Sequence, residues 1–521
     1  MNLFDLNWGL MAPEFTIVLV VTLLVLVDLF LPRKSRRVFL GYLAVIGILV
    51  AIFLTFKQMQ LPGVEYLLNN TYRVDSFGSL FKMIFLLGTA TVFLMSIGTV
   101  KRDGVDDEGE YYYLLLTALL GAMIMASSAD LVTLYIGLEL LSFSTYILVA
   151  MRKKNLKSNE SAFKFIITGG VSSAIFIYGA SFIYGLTGTT NLYLIAERLP
   201  MAFHSGYHFF TYFGFILMFI GLSYKISVVP SHMWAPDVYE GAPTPITAFL
   251  SVVSKAAGFA IIIRVFLTIF GLLATDVEVV SGVEHYRFFL FDEILIIFAV
   301  IAGLTMIIGN VVALLQTNVK RLLAYSSIAQ AGYIFVPLAT LIGIEFIDLS
   351  ITNIIFYLFA YVVMNLGAFA IVTVVSRDTG SDDITSFRGL YHRSPLLGVA
   401  MTFFLLSLAG LPVTVGFIAK LNIFLSAISV DGYILAGIML VTSVISYFYY
   451  FSIIRQMYMR PGETEAKISI GRAVQALVLV LFLATLLLGI FPNALLDFIN
   501  NNFSFAEIFD IGQGIDFKFM R

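Results

Sequence analysis

Cysteine is absent from the 521 residues, which excludes thiol catalysis, disulfides and cysteine-ligated iron–sulfur clusters in this chain. Charge is scarce as well. Asp, Glu, Lys and Arg make up 12% of the residues against 60% hydrophobic, whereas a soluble globular chain carries about 25% charged residues. With a mean hydropathy of +0.95, the sequence is suited to lipid rather than water. A net charge of −2 gives no electrostatic reason for nucleic-acid binding. The five histidines, at 204, 208, 232, 285 and 392, have no metal-ligand spacing. There is no Walker loop and no GxGxxG opening a helix after a strand, so any redox or nucleotide chemistry has to reside in another chain. The opening stretch Met1 to Leu10 is acidic and lysine-free. It lacks the basic region and small-residue cleavage site of a signal peptide, so the apolar run after it is expected to remain as a first helix.

What the sequence has in quantity is long apolar runs. A membrane-crossing helix needs about 20 mostly apolar residues, and on that basis fourteen spans are expected: 12–31, 38–56, 77–99, 111–127, 130–151, 163–186, 207–229, 244–271, 293–315, 322–343, 350–376, 396–428, 433–455 and 470–492. The fold class is therefore an all-α polytopic membrane protein. An even number of crossings puts both termini on one side. With the termini outside, the inner loops and adjoining helix ends hold 19 Lys and Arg, the outer segments 6 and the spans themselves 6. An excess of that sign and size predicts termini outside.

Two of these segments carry helix breakers near their middle. The seventh, 207–241, is interrupted at Val229-Pro230 with Pro236 following, and the twelfth, 396–428, at Gly410-Leu411-Pro412. Proline removes a backbone donor and clashes with the preceding turn. In a membrane the freed carbonyls are tolerated only where protein or a water-filled cavity satisfies them. Two broken helices five spans apart are the sequence signature of an inverted-repeat transporter.

The intramembrane charges fall at these breaks. Lys225 precedes the first, Lys420 follows the second, Lys255 lies in AFLSVVSKAAGFAIIIRVF, and Glu139 lies in LYIGLELLSFSTYILVA. An ionisable group at the bilayer centre costs at least about 2.5–3.5 kcal/mol, so it faces a polar path or a partner. Burial disfavours the charged form of a lysine, which makes it a usable proton carrier. Glu139 and Lys225 are expected to pair, and their union and separation would change lysine's proton affinity. The alternative is a static ion pair that fixes helix packing. Lys164, after the basic loop Arg152–Lys157, can snorkel to the inner interface or join the relay. His232, beside the first break, fits either a relay group or a helix-end hydrogen bonder. Arg264 lies nine residues beyond Lys255 on the opposite helix face and, like Lys82, reads as structural. Tyr447, Tyr449 and Tyr450 read as packing and interfacial belt.

The same residues carry a family resemblance. The run Lys225-Ile-Ser-Val-Val-Pro-Ser-His-Met-Trp-Ala-Pro-Asp-Val-Tyr-Glu-Gly-Ala-Pro-Thr-Pro resembles the antiporter-like membrane subunits of respiratory complex I. In particular it resembles the subunit N branch, the counterpart of mitochondrial subunit 2. The likeness continues through Ser254-Lys255-Ala256-Ala257, Asn318 to Ala329, Met364-Asn365-Leu366-Gly367-Ala368-Phe369, Leu408 to Pro412 and Gly416 to Lys420. Pro13-Glu14 and Leu186 to Leu192 belong to it too, so it covers nearly the whole chain.

The resemblance implies fourteen helices containing two inverted five-helix repeats, helices 4–8 and 9–13. The corresponding divisions are 1–105, 106–272, 273–456 and 457–521. It implies proton pumping coupled to NADH–quinone electron transfer, with Glu139, Lys225, Lys255 and Lys420 as relay residues. Ser327, Gln330, His232 and Lys164 are further candidates. This chain is expected to bind no cofactor; FMN, iron–sulfur clusters and quinone would sit in other subunits. Its partners would be membrane-arm subunits and the lipid of a bacterial plasma membrane. There are two departures from the family pattern. Gln330-Ala331-Gly332-Tyr333 stands where many relatives have His-Ala-Gly-Tyr, and Pro412-Val413 replaces a double proline. A subunit of a multisubunit cation/proton antiporter is the alternative reading, and a structural spacer whose buried charges only lock helices is a third. A related photosynthetic complex linked to ferredoxin or plastoquinone has a similar subunit.

Overall fold

The computed structural model describes residues 6–32, 37–271, 273–280, 283–289, 294–341, 346–462, 466–468 and 470–509. Among them, thirteen helices are long and apolar enough to cross a membrane. In chain order, the helices used below are α1 (Ala12–Phe30), α2 (Val38–Gln58), α3 (Ser76–Ser96), α4 (Glu108–Ser127), α5 (Leu131–Val149), α6 (Leu156–Thr187), α7 (Leu192–His204), α8 (His208–Ile226), α9 (Trp234–Gly241) and α10 (Thr244–Phe270). They continue as α11 (Leu295–Ala313), α12 (Val319–Ala339), α13 (Ile347–Thr379), α14 (Pro395–Ala409), α15 (Val415–Ser429), α16 (Tyr433–Met459), α17 (Arg472–Ile490), α18 (Asn493–Asn502) and α19 (Ala506–Phe509). The thirteen include every expected span except the twelfth. That one is two half-length apolar helices, α14 and α15, so the chain is a multi-pass membrane protein built of α-helices.

Both expected breaks are present. The seventh span ends as α8 at Ile226, with Ser227 in the left-handed region (φ 59), and resumes as α9 at Trp234. The twelfth stops at Gly410 (φ 88) and restarts after Thr414, whose hydroxyl accepts from Phe417 N and caps α15. Polar caps define the other starts in the same way. Asp75 caps α3, Asp130 caps α5, Asn155 caps α6 and Asn318 caps α12, each accepting from amides in the first turn. An N-cap of this kind is worth about 1 kcal/mol.

An arrangement of backbone bonds occurs twice. Leu131 N donates to Thr190 O and Leu192 N to Ala129 O, tying the start of α5 to the segment that follows α6. Val319 N donates to Asp382 O and Ile384 N to Thr317 O, tying the start of α12 to the segment that follows α13. Each long helix, α6 and α13, ends on a left-handed glycine, Gly188 or Gly380. Five crossings separate the two ties, so they lie at opposite membrane faces. Helices α4 and α5 touch closely at Gly121 and Gly137, where an added Cβ would come within 2.5 Å and 3.0 Å of backbone.

Outside the crossings, a short antiparallel hairpin (Glu65–Leu67 with Tyr72–Val74) delivers Arg73 and Asp75 to the end of α10. There Arg264 donates to Asp75 through both terminal nitrogens, at 2.7 and 2.8 Å, and Arg73 Nε donates to the same carboxylate at 2.8 Å. The two guanidinium groups and the Gly78 amide outweigh burial and hold the Asp75 carboxyl well below the usual carboxylate range. Arg264 thus joins α10 to the hairpin. Lys82 pairs with Glu14 at 2.8 Å and donates to Tyr72 at 3.0 Å. The last described helix docks on the same face, with Glu507 accepting from Ser76 N at 2.7 Å. Residues 510–521 of the expected C-terminal division lie outside the described residues.

Candidate functional site

The breaks create the site. An α-helix leaves its last four carbonyls without intrahelical partners, and inside a membrane these need donors. At the end of α14 three consecutive carbonyls receive side chains. Leu408 O accepts from Gln330 Nε2 at 3.0 Å, Ala409 O from Lys420 Nζ at 3.0 Å, and Gly410 O from Tyr447 Oη at 3.3 Å. Lys420 Nζ also lies 4.6 Å from the centre of the Tyr333 ring. Glycine is required at 410 for two reasons. Its φ is positive, and an added Cβ would meet Lys420 Cδ at 2.9 Å.

Lys255 follows a π-helical turn, Leu250–Ser254, and donates to the main-chain carbonyl of Ser327 on α12 at 2.7 Å. The Ser327 hydroxyl faces Tyr239 Oη of α9 at 3.4 Å. One turn along α12, Gln330 accepts a short hydrogen bond from Tyr357 Oη while its amide donates to Leu408. Ser327 and Gln330 therefore bridge Lys255 to the second break. Lys225, at the end of α8, is buried and donates to Ser142 Oγ at 3.1 Å. Its stem lies against Gly258, one turn from Lys255. The five sequence-predicted groups Lys225, Lys255, Ser327, Gln330 and Lys420 are thus all buried, and they are spread over both halves of the molecule.

Glu139, Lys164 and His232 have other surroundings. No ion pair within 4 Å joins Glu139 to Lys225 among the described residues; Ser142, one turn further along α5, takes the lysine proton donor instead. Glu139 is only partly buried and accepts from Ser173 of α6. Lys164 is 43% exposed and pairs at 2.7 Å with both Glu160 and Asp237, so it stands at the rim, outside the buried line. His232 is buried beside the first break, and its Nδ1 has no hydrogen-bond partner among the described residues.

Sequence reasoning passed over several members. Tyr449 and Tyr450, read as packing, are buried and hydrogen-bonded, to Asn310 Oδ1 at 3.0 Å and to Ser326. Tyr357, Ser142 and Ser173 were unmarked because hydroxyls are common in membrane helices; the available signal was Ser142 following Glu139 by three residues, on the same helix face. Asp237 and Glu240 of α9 join Lys157, Lys164 and Arg321 in a rim network that ties α6, α9 and α12. Burial raises the Asp237 and Glu240 carboxyls, but their Lys and Arg donors outweigh it and hold both below their ordinary values.

Comparison with known proteins shows the family and the fold. The family model described as NADH:quinone oxidoreductase/Mrp antiporter, transmembrane, matches residues 128–446. The chain is 48% identical over 513 residues to NADH-quinone oxidoreductase subunit N of Brevibacillus brevis, covering 98% of each chain. It is 45% identical to the protein of the same name from Bacillus anthracis, covering 94% of each. Among solved structures, it superposes on a chain of respiratory complex I from Thermus thermophilus with bound aureothin, with a TM-score of 0.74 at 28% identity, covering 93% of this chain and 98% of that one. A chain of the Mrp complex from Dietzia shares the fold, with a TM-score of 0.81 at 20% identity, covering 97% and 98%. The chain belongs to the NADH:quinone oxidoreductase/Mrp antiporter membrane family, and its relatives at 48% and 45% identity carry the subunit N name.

Proposed function

We propose that this chain is the subunit N-type, proton-translocating membrane subunit of an NADH–quinone oxidoreductase in a bacterial plasma membrane. Its own part is non-redox: FMN, iron–sulfur clusters and quinone belong to other subunits, and its partners are the neighbouring membrane-arm subunits and lipid. The observation that carries the reading is the series of buried polar groups Lys225, Lys255, Ser327, Gln330 and Lys420, each hydrogen-bonded to a neighbouring helix or to the carbonyls of a helix break. The near full-length identity to subunit N supports it. Protons are taken up at the first break, pass Lys255 and move along Ser327 and Gln330 to Lys420. Glu139 acts on Lys225 electrostatically, across Ser142. The relay spans two inverted repeats, 106–272 and 273–456, a division supported by the duplicated backbone ties. Termini outside follow from the loop charge.

Purification of the tagged chain in mild detergent tests the assembly: flavin and iron–sulfur absorbance with many partners is expected. A colourless complex of a few membrane proteins would mean the Mrp-type antiporter, whose fold is shared. Within the assembled complex, Lys225→Ala is expected to abolish pumping. Normal pumping would refute the relay.

A further inference from the structure

The face opposite both chain ends carries a cavity that the relay does not use. It measures about 490 Å³ and is walled by the α3–α4 and α5–α6 connections, the start of α10 and the end of α13. These segments follow crossings three, five, seven and eleven, so all four lie on one side of the membrane. Arg102, Arg152, Lys153, Lys154 and Arg377 line it. Part of that charge is matched. Arg377 donates to both oxygens of Asp103 at 2.6 and 2.5 Å, Lys153 pairs with Asp107 at 2.6 Å, and Asp382 pairs with Lys320 at 3.0 Å. The remainder is lopsided. Among the described residues, the Arg102 and Lys154 side chains have no partner, and Arg152 uses only Nε, on the Asp103 carbonyl at 2.6 Å. Asp106 is the one carboxylate of the lining left to face them. Thr244 is the telling member. It is 3% exposed, lines the cavity, and its hydroxyl has no hydrogen-bond partner among the described residues. A buried hydroxyl in a membrane protein needs a partner. Helices α6 and α10 also begin at this cavity, and a helix start favours negative charge. The bias of basic residues toward one face accounts for cations here, but not for unmatched cations gathered round a buried, unpaired hydroxyl.

We propose that this cavity binds a phosphate-type oxyanion, held by the terminal nitrogens of Arg152, by Arg102 and Lys154, and by the Thr244 hydroxyl. A guanidinium offers parallel donors to two oxygens of one phosphate, and an ammonium adds a point charge. Two sources carry that group on the inner face, which is the side given by the orientation above. One is a soluble phosphate of the cytoplasm. The other is the headgroup of an anionic phospholipid, which basic pockets at helix ends recognise. Bound there, the anion ties the α3–α4 and α5–α6 connections to the start of α10 and stiffens the inner face. The site stands independently of the relay reading.

The lack of cysteine makes a direct test available in the whole complex, because Thr244→Cys places the chain's one thiol in the cavity. Its labelling by a sulfonate-bearing thiosulfonate is compared with labelling by the trimethylammonium counterpart before the tagged chain is isolated. In delipidated, detergent-purified complex the sulfonate reagent is expected to react severalfold faster. Inorganic phosphate is expected to slow it where chloride at equal ionic strength does not, and Arg102→Gln with Lys154→Gln should abolish both effects. Vesicles of phosphatidylcholine with and without phosphatidylglycerol then distinguish the sources. Protection by phosphatidylglycerol alone assigns the site to a lipid headgroup; labelling that stays fast until phosphate is added assigns it to a soluble anion. A second measurement leaves Thr244 intact. Phosphate is expected to raise the thermal midpoint of the delipidated parent complex and not that of the Arg102→Gln, Lys154→Gln complex. Equal labelling by the two reagents, unprotected by phosphate or phosphatidylglycerol, overturns the site, as does the same phosphate response in both complexes.

Discussion

Among the described residues, Lys255 has one hydrogen-bond partner, the Ser327 main-chain carbonyl, and this isolation matters more than its burial. A lysine locked in a buried ion pair keeps its proton, because removing it leaves an uncompensated charge. A lysine held only by a neutral carbonyl can release one. Lys82 pairs with Glu14 at 2.8 Å and Arg264 with Asp75, and this pairing separates both from Lys255. Glu139 stands between the two kinds, since Ser142 rather than the carboxylate meets Lys225. Ser142→Ala should therefore bring Lys225 and Glu139 under stronger direct influence and change the pumping rate more than assembly, as read by proton uptake in vesicles against complex yield. At Gln330 the requirement is a hydrogen-bonding bridge. Gln330→His should keep pumping and Gln330→Leu should reduce it severalfold, because leucine leaves Leu408 O and Tyr357 without their partner.

At the scale of elements, function is placed by helix ends. The α14 terminus presents three carbonyls to three side chains from different helices, and the conformation depends on Gly410. A non-glycine residue in the left-handed region costs about 1–3 kcal/mol, and at 410 the added Cβ also presses on Lys420. Gly410→Ala should lower the thermal midpoint of the purified complex and impair pumping together, whereas Gly437→Ala, with open space around its Cβ, should leave both unchanged. The breaks and their lysines were legible in the sequence, because proline and glycine inside an apolar run and charge inside a span are local signals. The span limits were legible for the same reason. The acceptors were not. Carbonyls 408 to 410 and Ser327 O are main-chain atoms without a residue-type signature, and Tyr357 meets Gln330 only because α12 and α13 pack. The separation of Glu139 and Lys225 is likewise set by packing between helices, which no spacing within one helix can give.

For the whole molecule, the rim network of Lys157, Lys164, Asp237, Glu240 and Arg321 holds α9 against α6 and α12. It is the charged seam between the first break and the second half. Asp237 and Glu240 have depressed proton affinity in the folded protein. Their stabilisation is therefore present above the unfolded carboxylate range, about pH 4, and is lost as pH falls through the lower folded values. Asp237→Asn should destabilise the complex at neutral pH, and the gap from the parent protein should narrow below about pH 4, as followed by thermal unfolding. Thirteen long apolar spans and the break in the twelfth were readable from composition and spacing; the duplicated ties at Ala129–Leu131 and Thr317–Val319 required the folded backbone.

The central claim is that a line of neutral-bridged lysines carries protons through this subunit. The most direct measurement is the number of protons moved per electron in sealed vesicles bearing the assembled complex with Lys255→Met. Methionine keeps the length and apolar stem of the side chain while removing its proton site. The account predicts a lowered proton-to-electron ratio with the full set of subunits retained. An unchanged ratio in a fully assembled complex would contradict it and leave Lys255 as a packing residue.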